Sequence, residues 1–84
     1  MYIILQEYPY EYSTILGIYD SLDSLKQALK EQDIQYKQDT FHPQYRYTKT
    51  EQHEDYISIT YYSIIKTPLN TFNQYGYDWI EYEV

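Results

Sequence analysis

The sequence predicts an α+β fold, in which an antiparallel sheet of about five strands, in the order β-β-α-β-β-β, carries one helix packed on one face. Several stretches rich in isoleucine, threonine and tyrosine lie between turn residues, as in strands. One stretch repeats its apolar residues with the spacing of an amphipathic helix. The 84 residues are enough for one domain, so a single domain over residues 1–84 is predicted.

The first two strands are predicted to form an antiparallel hairpin. Tyr2–Tyr8 alternates and ends at Pro9, and Thr14–Tyr19 has a similar β-rich composition. The connection between them is short, which favours a hairpin. The inward positions predicted on these strands are Ile3, Leu5, Leu16 and Ile18.

A helix is predicted to follow directly and to end near Gln32. Asp20 or Ser21 can cap its N-terminus, and Asp23 lies in the first turn, where the helix dipole favours an acid. Its apolar residues fall on one stripe, which can pack on a sheet. That stripe consists of Leu22, Leu25, Ala28 and Leu29.

A second hairpin and a last strand complete the prediction. The arms of the hairpin are Tyr45–Lys49 and Tyr56–Lys66, joined by a polar turn, and Tyr77–Val84 follows a turn at Gly76. One helix with one apolar stripe can cover only one face of the sheet. The opposite face is predicted to carry Tyr56, Thr60, Tyr62, Tyr77, Trp79, Glu81 and Glu83.

Composition favours a binding role. The chain has fourteen tyrosines, no cysteine and a net charge of −7, and tyrosine suits surfaces that are part core and part contact. Negative charge disfavours direct binding to nucleic-acid phosphates and attracts basic proteins. The N-terminal residues show neither a signal peptide nor a membrane span, so a cytoplasmic protein without a membrane partner is predicted.

Catalytic and cofactor motifs are not recognisable in the sequence. It has no glycine-rich phosphate loop, no nucleophile elbow and no Cys–His pair. His42 and His53 have acidic neighbours, but their spacing matches no metal-ligand pattern, which favours solvated loop histidines. The prediction is therefore no enzyme, no cofactor, no catalytic residue and no metal site.

Aromatic and acidic residues are the candidate contact residues. Glu81 and Glu83 lie two apart on a predicted strand, about 6.6–6.8 Å, close to the ~7 Å between phosphates along a DNA strand. Tyrosine is also simply a good strand former, and an edge or a tyrosine face could pair two copies. The predicted partner-binding residues are Tyr77, Trp79, Glu81, Glu83, Tyr56, Tyr62, Glu7 and Glu11.

Two stretches carry a resemblance to a known family. Gly17–Ser21, leading into the helix at Leu22–Leu29, and the closing Gly76–Glu83 resemble an uncharacterised family of short bacterial and phage proteins. More loosely, the small size, the acidity and the lack of cysteine are similar to phage inhibitors of host defence, of the anti-CRISPR and anti-restriction type. This likeness implies an inhibitor in the host cytoplasm that occludes a basic or nucleic-acid-binding surface of a defence protein, such as a nuclease. The alternative is a homodimeric structural or regulatory protein that uses its tyrosine-rich sheet face and has no inhibitory role.

Overall fold

The computed structural model describes residues 1–68 and 77–84, and within them one helix lies beside a six-stranded antiparallel sheet. The predicted α+β class with a helix packed on a sheet is confirmed. The predicted turn at Gly76 lies outside the described residues. The elements are β1 (Tyr2–Glu7), β2 (Ser13–Tyr19), α1 (Leu22–Glu31), β3 (Gln35–Tyr36), β4 (Tyr47–Gln52), β5 (Ile57–Lys66) and β6 (Asp78–Trp79).

β5 is the central strand of the sheet, whose order is β2-β1-β5-β4-β3. β1 pairs with the second half of β5, and β4 pairs with its first half on the other side. β6 continues on the side of β4, because Ile65 lies opposite Ile3 on β1 and opposite Trp79 on β6. The two-residue β3, which the sequence did not predict, pairs with β4 at one edge, and β2 forms the other edge.

The helix begins at a polar cap. The Ser21 side chain accepts a hydrogen bond of 3.2 Å from the backbone N–H of Ser24, which satisfies one of the free donors of the first turn. Asp23 lies in the first turn and Lys30 in the last, and both charges suit the helix dipole. The predicted start of the helix is confirmed, with Ser21 as the capping residue.

The helix ends in a Schellman motif. Asp33 has a φ of 56°, and its N–H donates to the Lys30 carbonyl at 3.2 Å. The N–H of Ile34 donates to the Leu29 carbonyl at 2.9 Å, and both of these side chains are buried in the core. The left-handed conformation of Asp33 therefore reverses the chain direction after α1 and places Ile34 in the buried cluster.

The core lies between α1 and one face of the sheet. Leu25 and Ile64 are fully buried, and Ile4 lies opposite Ile64 on the neighbouring strand. Partly buried Tyr2 and Tyr19 pack at the margin. The buried cluster consists of Ile4, Leu25, Ala28, Leu29, Ile34, Tyr47, Tyr62, Ile64 and Ile80.

The predicted facing of β1 is wrong. Ile4, rather than Ile3 and Leu5, points to the helix, because it pairs with the core residue Ile64. Three consecutive apolar residues give the sequence no parity, so the alternation could be read either way. The face away from the helix, here called the open face, therefore carries Ile3 and Leu5.

A β-bulge in β2 changes which residues of that strand lie on the open face. The register shifts between Ile4 and Leu5, so that Ile18 lies opposite Ile3 and Ile15 lies opposite Leu5. Ile15 and Ile18 thus share the open face although they are three positions apart. The predicted inward position of Ile18 is wrong.

The last strand is much shorter than the predicted Tyr77–Val84. After β6, the backbone N–H of Ile80 still donates to the Ile64 carbonyl at 2.8 Å, and Ile80 enters the core. Beyond it, the Tyr47 hydroxyl donates to the Tyr82 carbonyl at 2.6 Å and accepts from the Val84 N–H at 3.2 Å. Tyrosine hydroxyls rather than a strand ladder therefore hold the C-terminal residues, and burial raises the pKa of Tyr47.

Candidate protein-binding surface

Four of the predicted contact residues are exposed in the C-terminal segment. Tyr77 and Trp79 are 52% and 54% exposed, and Glu81 and Glu83 are exposed as well. The two glutamates follow β6 and lie outside any strand. They therefore do not lie on the strand from which the likeness to DNA phosphates was predicted.

Three other predicted residues lie toward the opposite end of the sheet. Glu7 ends β1 opposite Tyr61, four positions before Ile65, which is about 13 Å along the strand. Glu11 lies beyond Glu7 in the β1–β2 turn, and Tyr56 precedes the start of β5. The structure therefore divides the predicted residues between two separate surfaces.

Tyr62 belongs to neither surface. It is 6% exposed, lies opposite Tyr47 and packs in the core beneath the helix. Its predicted place on the face away from the helix is wrong, because the parity of β5 puts Tyr61, not Tyr62, on the open face. Burial raises the pKa of Tyr62 as well.

Aromatic rings gather where the β1–β2 turn meets the loop between β3 and β4. Tyr8 and Tyr12 stack with their ring centroids 4.5 Å apart, and Tyr10 approaches the His42 ring edge-on at 5.7 Å. Tyr45 lines a shallow cavity together with Tyr8, Tyr10 and Tyr12. We call this cluster the aromatic tip; it consists of Tyr8, Tyr10, Tyr12, Phe41, His42, Tyr45 and Tyr61.

His42 lies at the centre of this cluster. Its ring centroid is 5.0 Å from that of Tyr61 and 6.4 Å from that of Tyr45, and the two tyrosine rings are 5.5 Å apart. Its Nδ1 atom is buried and has no hydrogen-bond partner in the described part of the chain. The prediction of a solvated loop histidine is therefore wrong for His42, which packs against three aromatic rings.

Two residues of the aromatic tip are almost fully exposed. Tyr10 is 93% exposed and Phe41 is 82% exposed. The N–H of Glu11 donates to the Tyr8 carbonyl at 2.9 Å, which closes a turn with Pro9 and Tyr10 at its centre. Tyr10 has a φ of 65° at the position where a type II turn favours glycine. A bulky residue in this conformation is uncommon, and such strain is found most often at binding and catalytic sites.

The loop that carries Phe41 and His42 is fastened to the open face through Asp39. The Asp39 carboxylate accepts a 2.5 Å hydrogen bond from the Tyr61 hydroxyl and a 3.2 Å bond from the Phe41 N–H. The Thr48 hydroxyl donates to the Lys37 carbonyl at 2.8 Å. The hydrogen bond from Tyr61 is the main cause that lowers the pKa of Asp39, while burial and then Asp39 raise the pKa of Tyr61 to about 12.

Two carboxylates lie next to the rings of the aromatic tip. Glu7 and Glu11 line the same cavity as the tyrosines. Glu7 accepts a 2.7 Å hydrogen bond from Ser13, while its other carboxylate oxygen is buried and unpartnered in the part of the chain that the structure describes. Ring faces attract cations and carboxylates pair with them, so this arrangement suits lysine or arginine side chains of a partner.

His53 has a local structural role. Its ring stacks on Tyr56 at 4.4 Å, and its Nε2 lies 2.9 Å from the Ser58 hydroxyl. These contacts close the β4–β5 turn. Within residues 1–68 and 77–84, no group of three or more histidine or acidic side chains is arranged to hold a metal ion.

The sequence contains a signal for the aromatic tip that the prediction did not use. Tyr8–Tyr12 alternates tyrosine with Pro9 and Glu11, which places three rings around one turn. Phe41, His42 and Tyr45 follow no periodic pattern in the loop. Their position beside the β1–β2 turn could therefore not be predicted without knowing the order of the strands in the sheet. Of the predicted partner-binding residues, only Glu7 and Glu11 lie next to the aromatic tip.

No family model matches the chain, and no curated protein or solved structure shows significant similarity to it. The resemblance to short bacterial and phage proteins therefore stays a prediction. Among the described residues, α1 is too short and too polar to cross a bilayer, and no other helix could do so. The cytoplasmic location is likewise a prediction.

Proposed function

We infer that this chain is a small acidic protein-binding module that contacts a basic surface of its partner with the aromatic tip. The observation that carries the proposal is the 93% exposure of Tyr10, which lines a cavity together with the carboxylates of Glu7 and Glu11. Phe41, 82% exposed, precedes His42, whose ring Tyr10 approaches. These two exposed rings offer apolar contact area that a partner can cover.

The chemistry of the tip favours a protein partner. Tyrosine is enriched among the few interface residues that supply most of the binding energy, because it buries a large rigid area and keeps a polar end. Tyr10 approaches the edge of the His42 ring, and His42 in turn packs against Tyr61. Because His42 and Tyr61 are already packed together, this part of the binding surface loses little conformational entropy when a partner binds.

The negative charge of the chain favours a positively charged partner. The net charge of −7 attracts basic proteins over a Debye length and speeds their association. Basic surfaces on proteins commonly bind nucleic acids. We therefore propose, in line with the likeness to phage anti-defence inhibitors, that the partner is a nuclease or other nucleic-acid-binding defence protein, whose basic surface the module occludes.

Affinity capture with matched variants tests this function. Tagged protein is incubated with lysate of a low-GC Gram-positive host and washed at low and then high salt, and the bound proteins are identified by mass spectrometry. We expect a basic nucleic-acid enzyme that salt releases and that the double variant Tyr10→Ala, Phe41→Ala does not retain. Tyr77→Ala is the matched control, since Tyr77 is also exposed but lies at the far end of the sheet.

The outcomes separate the two surfaces. Retention of the same partner by the double variant and its loss with Tyr77→Ala would move the binding site to the C-terminal segment. A partner that resists high salt and carries no basic surface would contradict the role of charge. Circular dichroism of each variant verifies that it is folded.

A further inference from the structure

The open face of the sheet carries an apolar patch at the end away from the aromatic tip. Ile3 lies opposite Ile18 on β2 and opposite Ile65 on β5, and Ile65 lies opposite Trp79 on β6. These four residues form one row across four strands. In the neighbouring row, Leu5 lies opposite Ile15.

Most residues of this patch are in contact with water. Ile15, Ile18 and Trp79 are 59%, 58% and 54% exposed, and Ile3 and Leu5 are partly exposed. Ile65, between Ile3 and Trp79, is buried, so the exposed part of the patch lies mainly on β1 and β2, with Trp79 at the other end of the row. The helix cannot cover them, because it packs on the other face. Contiguous exposed apolar patches of more than a few hundred Å² mark interaction sites in soluble proteins.

The patch differs in charge from the rest of the molecule. Its residues are Ile3, Leu5, Ile15, Ile18, Ile65 and Trp79, none of which carries a charge, whereas the chain as a whole has a net charge of −7. Two copies repel each other over most of their surfaces, and the repulsion is smallest where they meet through an uncharged patch. A basic partner gains no electrostatic attraction from this patch.

We propose that the patch is the interface of a symmetric homodimer, in which the open faces of two copies pack on each other. In a two-fold interface the same residues meet from both sides, so each copy covers the patch of the other and the contact closes at two chains. The acidic surface that remains outside opposes further growth. This surface is separate from the aromatic tip, so the proposal does not depend on the proposed partner.

The interface is smaller than the whole sheet. Near the aromatic tip, Lys37, Gln38 and Asp39 line a cavity together with Ile57 and Ile59, so the loop already occupies that part of the open face. Because the loop leaves only part of the open face free, we expect a weak dimer, with a dissociation constant on the order of tens of micromolar.

Sedimentation equilibrium over protein concentrations from about 1 to about 500 µM tests the dimer by mass action. We expect the average mass to rise from that of one chain toward that of two. Added salt should tighten the dimer, because it screens the repulsion between two acidic copies. Binding of a basic partner through the aromatic tip would respond to salt in the opposite direction.

Ile18→Lys and Ile57→Lys form a matched pair of variants. Both change a sheet isoleucine of nearly equal exposure, 58% and 57%, and both change the net charge by the same amount. Ile18→Lys places a charge in the proposed interface and should weaken the dimer at least tenfold, whereas Ile57→Lys should leave it within about twofold. Ile15→Lys is the second variant if Ile18→Lys does not fold.

The proposal is overturned if the unmodified protein has the mass of one chain at every concentration, which would leave the patch to a different protein. It is also overturned if a dimer forms and Ile18→Lys and Ile15→Lys, both folded, do not weaken it. Loss of the dimer with capture of the partner intact would leave the proposed function standing.

Discussion

The hydroxyl of Tyr61 donates a 2.5 Å hydrogen bond to the carboxylate of Asp39, and this contact joins the loop between β3 and β4 to the central strand. The same carboxylate oxygen accepts the backbone N–H of Phe41. One side chain therefore fixes both the position of the loop on the sheet and the turn that displays Phe41. His42, the next residue, then packs its ring against Tyr61.

Removal of this hydroxyl should loosen the loop. Tyr61→Phe leaves the Asp39 carboxylate without the donor that is the main cause of its lowered pKa, and we expect a lower free energy of unfolding because this hydrogen bond is lost. Urea denaturation measures the loss, and hydrogen exchange of residues 39–42 should become faster. Tyr56→Phe is the control, because the Tyr56 hydroxyl has no hydrogen-bond partner among the described residues. An equal loss in both variants would mean that the contact with Asp39 does not stabilise the loop.

The pH dependence of stability has a defined sign at both ends. The pKa of Tyr61 is raised to about 12, so its contribution is complete below pH 10 and is lost as the pH rises from about 10 to 12. The pKa of Asp39 is lowered from 3.8, so its contribution is present above that value and is lost as the pH falls through the lowered value. Thermal unfolding across both ranges should show flatter slopes for Tyr61→Phe than for the unmodified protein. Part of the alkaline slope persists in the variant, because burial also raises the pKa of Tyr47 and Tyr62.

The sequence predicted the fold where periodicity is unambiguous. The apolar stripe of α1 and the cap at Ser21 were sufficient for the helix, and the short link after Pro9 was sufficient for the first hairpin. Parity failed in β1, where consecutive apolar residues suit either face, and in β2, where a bulge places both Ile15 and Ile18 on the open face. A bulge inserts one residue into a strand and so reverses the alternation of faces beyond it. The sequence of β2 contains no clear signal for this insertion.

The candidate site was predictable only in part. Glu7 ends β1 and Glu11 lies in the β1–β2 turn, which local sequence defines, and both line the cavity at the aromatic tip. Phe41 and His42 reach the tip through the fastening of Asp39 to Tyr61, a contact between residues that are 22 positions apart. Such long-range contacts follow from sheet order rather than from local pattern, so no local reading of the loop could place them.

The left-handed residue that ends α1 offers a direct test of the Schellman motif. Asp33 has a φ of 56°, where glycine avoids the clash of a side chain with the backbone. Asp33→Gly should raise the free energy of unfolding by about 0.5–1 kcal/mol. Gln32→Gly is the matched control, since Gln32 has a φ of −90° and gains nothing from glycine; it should lower stability by about 0.5–1 kcal/mol. Stabilisation by both variants, or by neither, would contradict the assigned helix end.

Tyr10 allows stability and binding to be separated at one position. Its φ of 65° is unfavourable for a tyrosine, so Tyr10→Gly should relieve the turn and raise the free energy of unfolding by about 1 kcal/mol. The same change removes a ring that is 93% exposed and supplies contact area to the proposed partner, so we expect partner affinity to fall at least tenfold, which corresponds to about 1.4 kcal/mol. Calorimetric unfolding and titration with the captured partner measure the two effects. Tyr10→Asn serves as the comparison, because asparagine tolerates a positive φ but has no ring, and it should likewise weaken binding. If Tyr10→Gly stabilises the fold and binding is unchanged, the strain at Tyr10 is unrelated to partner recognition, and Phe41 with the carboxylates must account for the affinity.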